Sequence, residues 1–243
     1  MSKQPLYSFD KIRFATDPPT FQRAVELYQR QKVTKFQADA IGYSAVVLGS
    51  QPYQVRVSVR RYDEGRCTCY LGQNDTLCKH MVAVAIQAVK QGEPVEADEQ
   101  RSSLEPTCSG KLGTLNPSEL TDIKRSIAEA MRYIKSYEGP SHRWFAYQNS
   151  LMEGCARLSA IVSELPVSIH TAKLLVDILL RLDKKLQAAV DDSDGTVGGC
   201  IESIVEILKQ FYALDHTCAQ TFQLLKNKQT VFGWEEPLLR LKK

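Results

Sequence analysis

The 243-residue chain contains no run of eighteen apolar residues, so no membrane-spanning helix is expected. Its first ten residues, Met1 to Asp10, lack the apolar core of a secretory leader. Charge of one sign is also missing. There are 31 Lys and Arg against 28 Asp and Glu, a net +3, too little to announce a chain that coats nucleic acid. The common catalytic signatures are absent as well: the sequence has no phosphate-cradling glycine loop, no G-x-S-x-G, no H-E-x-x-H and no dinucleotide fingerprint. A non-enzymatic protein is expected. Four of the seven cysteines, Cys108, Cys155, Cys200 and Cys218, are scattered without disulfide-like spacing, which fits a reducing cytoplasm.

The other three cysteines crowd into one short stretch. Cys67, Cys69 and Cys78 are followed at once by His80, giving C-x-C-x8-C-x-H. Three thiolates and an imidazole are the donor set of a closed tetrahedral zinc site. Buried free cysteines would explain single positions, but Arg66, Thr68, Asn74 and Lys79 are not the neighbours of an apolar core. A disulfide would strand one cysteine and need an oxidising compartment. The alternation of Gln54 to Tyr62 reads as a half-buried strand. Continued through Cys69, that strand would place Cys67 and Cys69 on one face. The segment Leu71 to Thr76 is turn-rich, and Met81 to Gly92 reads as a helix. Cys78 and His80 then lie at a helix N-terminus, where the backbone dipole favours thiolate. The expected unit is ββα, with the ion at the junction.

This pattern resembles the SWIM-type zinc finger, as found in prokaryotic SWIM-domain proteins. The segment Cys78-Lys79-His80-Met81-Val82-Ala83 resembles the family's C-K-H-x-x-A. Val33 to Phe36, Ala45 to Ser50 and Tyr53 to Val57 resemble its preceding strands. The resemblance spans roughly residues 20–92. It implies bound zinc on Cys67, Cys69, Cys78 and His80, and an interaction role toward either protein or nucleic acid.

Charge is unevenly distributed. Through Gly92 there are thirteen basic and seven acidic residues; from Glu93 to Glu119, two and six; beyond that, sixteen and fifteen. The excess sits in Arg56, Arg60, Arg61, Arg66 and Lys79, which form a candidate phosphate-contacting patch or simply a solvated strand face.

The fold class expected is α+β. A small N-terminal β-hairpin zinc-finger domain occupies residues 1–92. An exposed acidic linker follows over 93–116, and an antiparallel helical bundle over 117–243. Asn116 and Pro117 open a first bundle helix to about Tyr137, ended by Glu138-Gly139-Pro140. Ser141 opens a second, through Trp144 and Leu151 to before Pro166. A third spans about 168–190, with a Leu/Ile stripe, and a fourth about 196–226. The tail with Trp234, Leu238, Leu239 and Leu241 is expected to pack back on the bundle or lie against a partner.

Asp191-Asp192-Ser193-Asp194-Gly195 invites a calcium reading. With Gly195 at position six, an EF-hand loop would begin at Val190 and end at Ile201, and neither is a carboxylate. A turn with a helix cap is the better reading. His216 and Cys218, two apart on an expected helix, face different sides, and His142 and His170 sit near helix starts without a donor cluster. The functions expected are a protein–protein adaptor of a cytoplasmic complex with an unidentified protein partner, a DNA- or RNA-binding module on the basic finger half, or an enzyme with a site hidden in the bundle, in that order.

Overall fold

A computed structural model describes residues 4–100, 103–137, 139 and 144–241. They fall into two compact units divided between residues 102 and 103. The first is α+β and the second helical.

The first unit opens with α1 (Phe9–Ala15) and α2 (Pro18–Gln29). The sequence reading did not anticipate either helix, although both carry caps. Ser8 accepts from the Lys11 N–H, and Asp17 accepts from the Thr20 N–H just before Pro18. Four antiparallel strands follow in the order β1-β2-β3-β4: β1 (Val33–Ala38), β2 (Gly42–Leu48), β3 (Pro52–Ser58) and β4 (Gly65–Cys67). Helix α3 (Tyr70–Gln73) is a single turn, and α4 (Lys79–Lys90) completes the motif.

Alternation sorts the strands into two faces. Tyr43, Ala45, Val47, Val55, Val57 and Cys67 point inward onto Met81, Val84 and Ala88 of α4. The opposite side of α4, with Val82, Ala83, Ala85 and Ile86, packs on Phe9, Ile12, Phe21, Val25 and Tyr28 of α1 and α2. Helix α4 is therefore covered on both sides, which is why Met81 to Val89 is apolar nearly all round. Gln91, left-handed at φ 51°, ends it, with Gly92 following at φ 100°.

One expectation is corrected here. The strand from Gln54 does not run on through Cys69: β3 ends at Ser58, Cys67 closes the separate antiparallel strand β4, and Cys69 leaves the sheet to cap α3. The acidic stretch 93–116 is mostly exposed among its described residues, with a few anchoring contacts. In the first unit Val95 is buried, the Tyr28 hydroxyl donates to the Glu93 carbonyl at 2.6 Å, and Lys90 meets Glu99 at 2.6 Å. In the second, Ser109 Oγ donates to the Leu165 carbonyl at 2.7 Å and Leu112 bridges Val167. A few anchoring contacts suffice where a buried valine and paired backbone groups replace a long apolar stripe.

The second unit contains α5 (Pro117–Ala130), α6 (Trp144–Glu164), α7 (Ile169–Gln187) and α8 (Thr196–Leu214), a 3-10 helix (His216–Leu225) and α9 (Glu236–Arg240). Its core joins Ile134, Leu151, Leu158, Leu175, Ile178, Leu179, Ile201, Ile204, Leu208 and Phe211. Asn116 with Glu119 and Ser168 with Thr171 form capping boxes. Helix α5 ends at Ala130, short of Tyr137. The expected fourth helix breaks at Asp215, which is extended and accepts from the Thr217 N–H to start the 3-10 turn. The tail packs back: Trp234 and Leu238 are buried, and the Trp234 indole donates to the buried Asp183 at 2.9 Å. Glu138, Pro140, Ser141 and His142, and the side chain of Trp144, lie outside the described residues. Among the described residues no helix is long and apolar enough to cross a membrane.

Candidate metal centre

Three short segments converge where the sheet meets the N-terminus of α4. Cys67 is the last residue of β4, Cys69 is the N-cap of α3, Cys78 is the N-cap of α4 and His80 lies in its first turn. All four side chains are buried, and their donor atoms lie within 4.8 Å of one another. His80 Nδ1 faces Cys67 Sγ at 3.7 Å and Cys78 Sγ at 3.9 Å. A tetrahedral zinc with ordinary bond lengths puts S···N edges at about 3.5–3.6 Å, so these two pairs are close to that spacing, and the widest donor pair would draw in further. Among the described residues this is the one group of three or more Cys, His, Asp or Glu donors placed to share an ion. The donors fit zinc in number, softness and spacing.

Residues around the donors orient them. The N–H of Cys69 points to Cys67 Sγ, and that of Gly72 to Cys69 Sγ, each at 3.4 Å. The Tyr53 ring stacks on His80 with centroids 4.3 Å apart. His80 Nε2 is enclosed without a hydrogen-bond partner. A Cβ on Gly49 would sit 3.4 Å from it. A Cβ on Gly72 would meet the Cβ and carbonyl oxygen of Cys67 at 2.5 Å, so only glycine lets α3 turn this tightly against β4. The sequence reading did not single out Gly72 or Tyr53 as parts of the site. A glycine three residues after the second cysteine was the available signal.

Electrostatics couple the thiols. Cys78 is pulled down to about 4, chiefly because the Cys67 thiol donates to it; burial opposes this, and His80, the Met81 N–H and Cys69 assist. Cys67 is pushed up for the complementary reason, with burial adding to the shift. Within this pair, Cys78 is the sulfur favoured as a thiolate.

Residues 53–88 match the SWIM zinc finger family model.

The SWIM match begins at the tyrosine stacked on His80 and ends on α4, so it encloses all four donors. No curated protein and no solved structure matches the chain. The matched segment carries a cluster of three cysteines and one histidine that could hold a metal ion, set on a four-stranded antiparallel sheet.

The five basic candidates are spread over β3, β4, the turn between them and the start of α4. Arg56 and Arg66 stand directly opposite each other on β3 and β4, on the sheet face away from α4. Arg60 and Arg61 lie in the turn between those strands, where Arg61 bonds Asp63 at 2.6 Å and reaches Glu64 at 3.2 Å. Lys79 is half-buried between two metal donors. Elsewhere, Asp191 Oδ1 accepts from the Ser193 N–H, Asp194 from the Thr196 N–H, and Asp192 from Val197 and Gly198 at the start of α8. These carboxylates turn the chain and cap a helix. His216 and His170 are exposed, while Cys155, Cys200 and Cys218 are buried in the helical core.

Proposed function

We propose that this protein is a zinc-organised, non-enzymatic interaction module that works as a protein–protein adaptor in a cytoplasmic complex. The observation that carries this reading is the closed donor set. Four buried protein ligands leave an ion no open position for water or substrate, which is the arrangement of a structural site rather than a catalytic one. The zinc would supply folding energy by tying β4, α3 and α4 together, and Cys67, Cys69, Cys78 and His80 would hold it. The surfaces it supports are then presented to a partner.

The test is isolation of the tagged full chain under gentle conditions, with chemical cross-linking in cells. The expected result is a stoichiometric protein partner that survives gel filtration and is lost in Cys69→Ser, whose zinc content falls with it. A chain that runs alone, or that retains only nuclease-sensitive material, overturns the adaptor reading. The second reading, DNA or RNA binding, draws on Arg56 and Arg66 and predicts affinity that falls steeply with salt.

A further inference from the structure

The outer face of the four-stranded sheet carries a feature that the metal centre does not explain. Pairing aligns Gln37, Ser44, Arg56 and Arg66 in one row across all four strands. Beside it Val46 and Gln54 pair, and the Gln54 N–H donates to Thr68 Oγ1 at 3.0 Å. These side chains, together with Lys35, line an open groove of about 530 Å³.

Two aspects of this groove work against the stability of the fold. Arg56 and Arg66 are like charges placed directly opposite, a destabilising cross-strand pair. Asp39 pairs with Arg56 at 2.6 Å, but among the described residues neither Arg66 nor Lys35 has an ion-pair partner. Lys35 also sits at φ 50°, in the left-handed region that favours glycine. It lies in the β1 bulge between Thr34 and Gln37. Bulges re-aim side chains, and strain of this kind concentrates at binding sites.

We propose that this groove binds an acidic, extended segment of a partner protein, a conclusion that rests on the adaptor reading above. Lys35 and Arg66, with Arg56 shared with Asp39, give the groove a positive character that carboxylates of an extended chain would complement. Gln37, Gln54, Ser44 and Thr68 offer both donors and acceptors, as a peptide backbone requires. No aromatic ring is among the groove's lining residues, so it lacks the stacking platform on which single-stranded nucleic acid rests. Two cations without an ion-pair partner among the described residues are also few for a phosphate backbone, which binds through many.

The test uses the zinc-loaded full chain and a fluorescein-labelled peptide of about ten alternating Glu and Ser residues, long enough to cross four strands at about 4.8 Å each. Single-stranded DNA and RNA of matched charge serve as competitors. The peptide should bind, and Arg66→Glu and Lys35→Glu should each weaken it about tenfold or more, a loss of at least about 1.4 kcal/mol. Arg60→Glu, in the neighbouring turn, should change it little. Lys35→Gly should raise the thermal midpoint while weakening the peptide, because it relieves the backbone and removes the charge. Zinc content and circular dichroism confirm that each variant is folded. Peptide binding unchanged in Arg66→Glu, no peptide binding at all, or displacement of the peptide by either oligonucleotide overturns the inference. If the peptide fails while a protein partner is still retained by the full chain, the groove inference falls and the adaptor reading stands.

Discussion

Gly72 is the position where one atom decides most. An added Cβ would press on the backbone carbonyl and Cβ of Cys67, which cannot swing away as the end of a long side chain could. Gly72→Ala should therefore destabilise the metal unit by about 1–3 kcal/mol, the usual range for overpacking. It should also reduce bound zinc, because it pushes on a ligand. Thermal unfolding and metal content check both; a variant that binds a full zinc equivalent and melts like wild type rules out this role. The same scale explains why His80 faces the sulfurs through Nδ1. Tyr53 covers one face of its ring, and Nε2 is closed in against Gly49.

Among the secondary-structure elements, α8 shows how an acidic loop caps the start of a helix. Gly195 at φ 74° makes the turn, and Asp192 reaches forward to the Val197 and Gly198 N–H groups at 2.7 and 2.8 Å. Burial raises the Asp192 carboxyl; the two backbone donors oppose that, and the charges of Asp194 and Asp191 add to it. A carboxyl raised in the folded state contributes stability below its ordinary range and loses it as pH rises through the raised value. The stability of wild type relative to Asp192→Asn should accordingly fall as pH rises upward from the ordinary Asp range. Asp192→Ala, which removes both acceptors, should cost about 0.5–2 kcal/mol. Denaturant unfolding at several pH values measures each, and a wild-type-to-Asn difference that grows with pH contradicts the assignment.

For the whole molecule, two separate cores imply two separate stabilities. The first unit is joined through α4 and four metal donors, whereas the second has its own continuous apolar core and its own caps. Removing metal with a strong chelator should unfold residues 4–100 and leave the helical unit intact. Limited proteolysis read by mass spectrometry should find early cuts confined to the first unit, with most helical circular dichroism retained. A single transition that takes both units together contradicts this independence. The physical basis is that structural zinc binding is part of the folding free energy of the unit that supplies its ligands, and only of that unit.

The metal donors, the helix that begins at them and most helices of the second unit were legible in the sequence. Donor chemistry, helical periodicity and caps such as Asn116-Pro117 and Ser168 are local properties. The path of Cys69 out of the sheet, the closeness required at Gly72 and the stacking of Tyr53 on His80 were not, because they depend on which strand lies beside which helix. Periodicity likewise ran through Asp215, where a single side-chain cap ended the α-helix. The basic residues are the clearest case. Sequence counted five as one group, but only the register of β3 and β4 set Arg56 against Arg66, and only the β1 bulge brought Lys35 to the same groove. Composition fixes how many charges a chain carries; pairing across strands decides which of them a partner meets together.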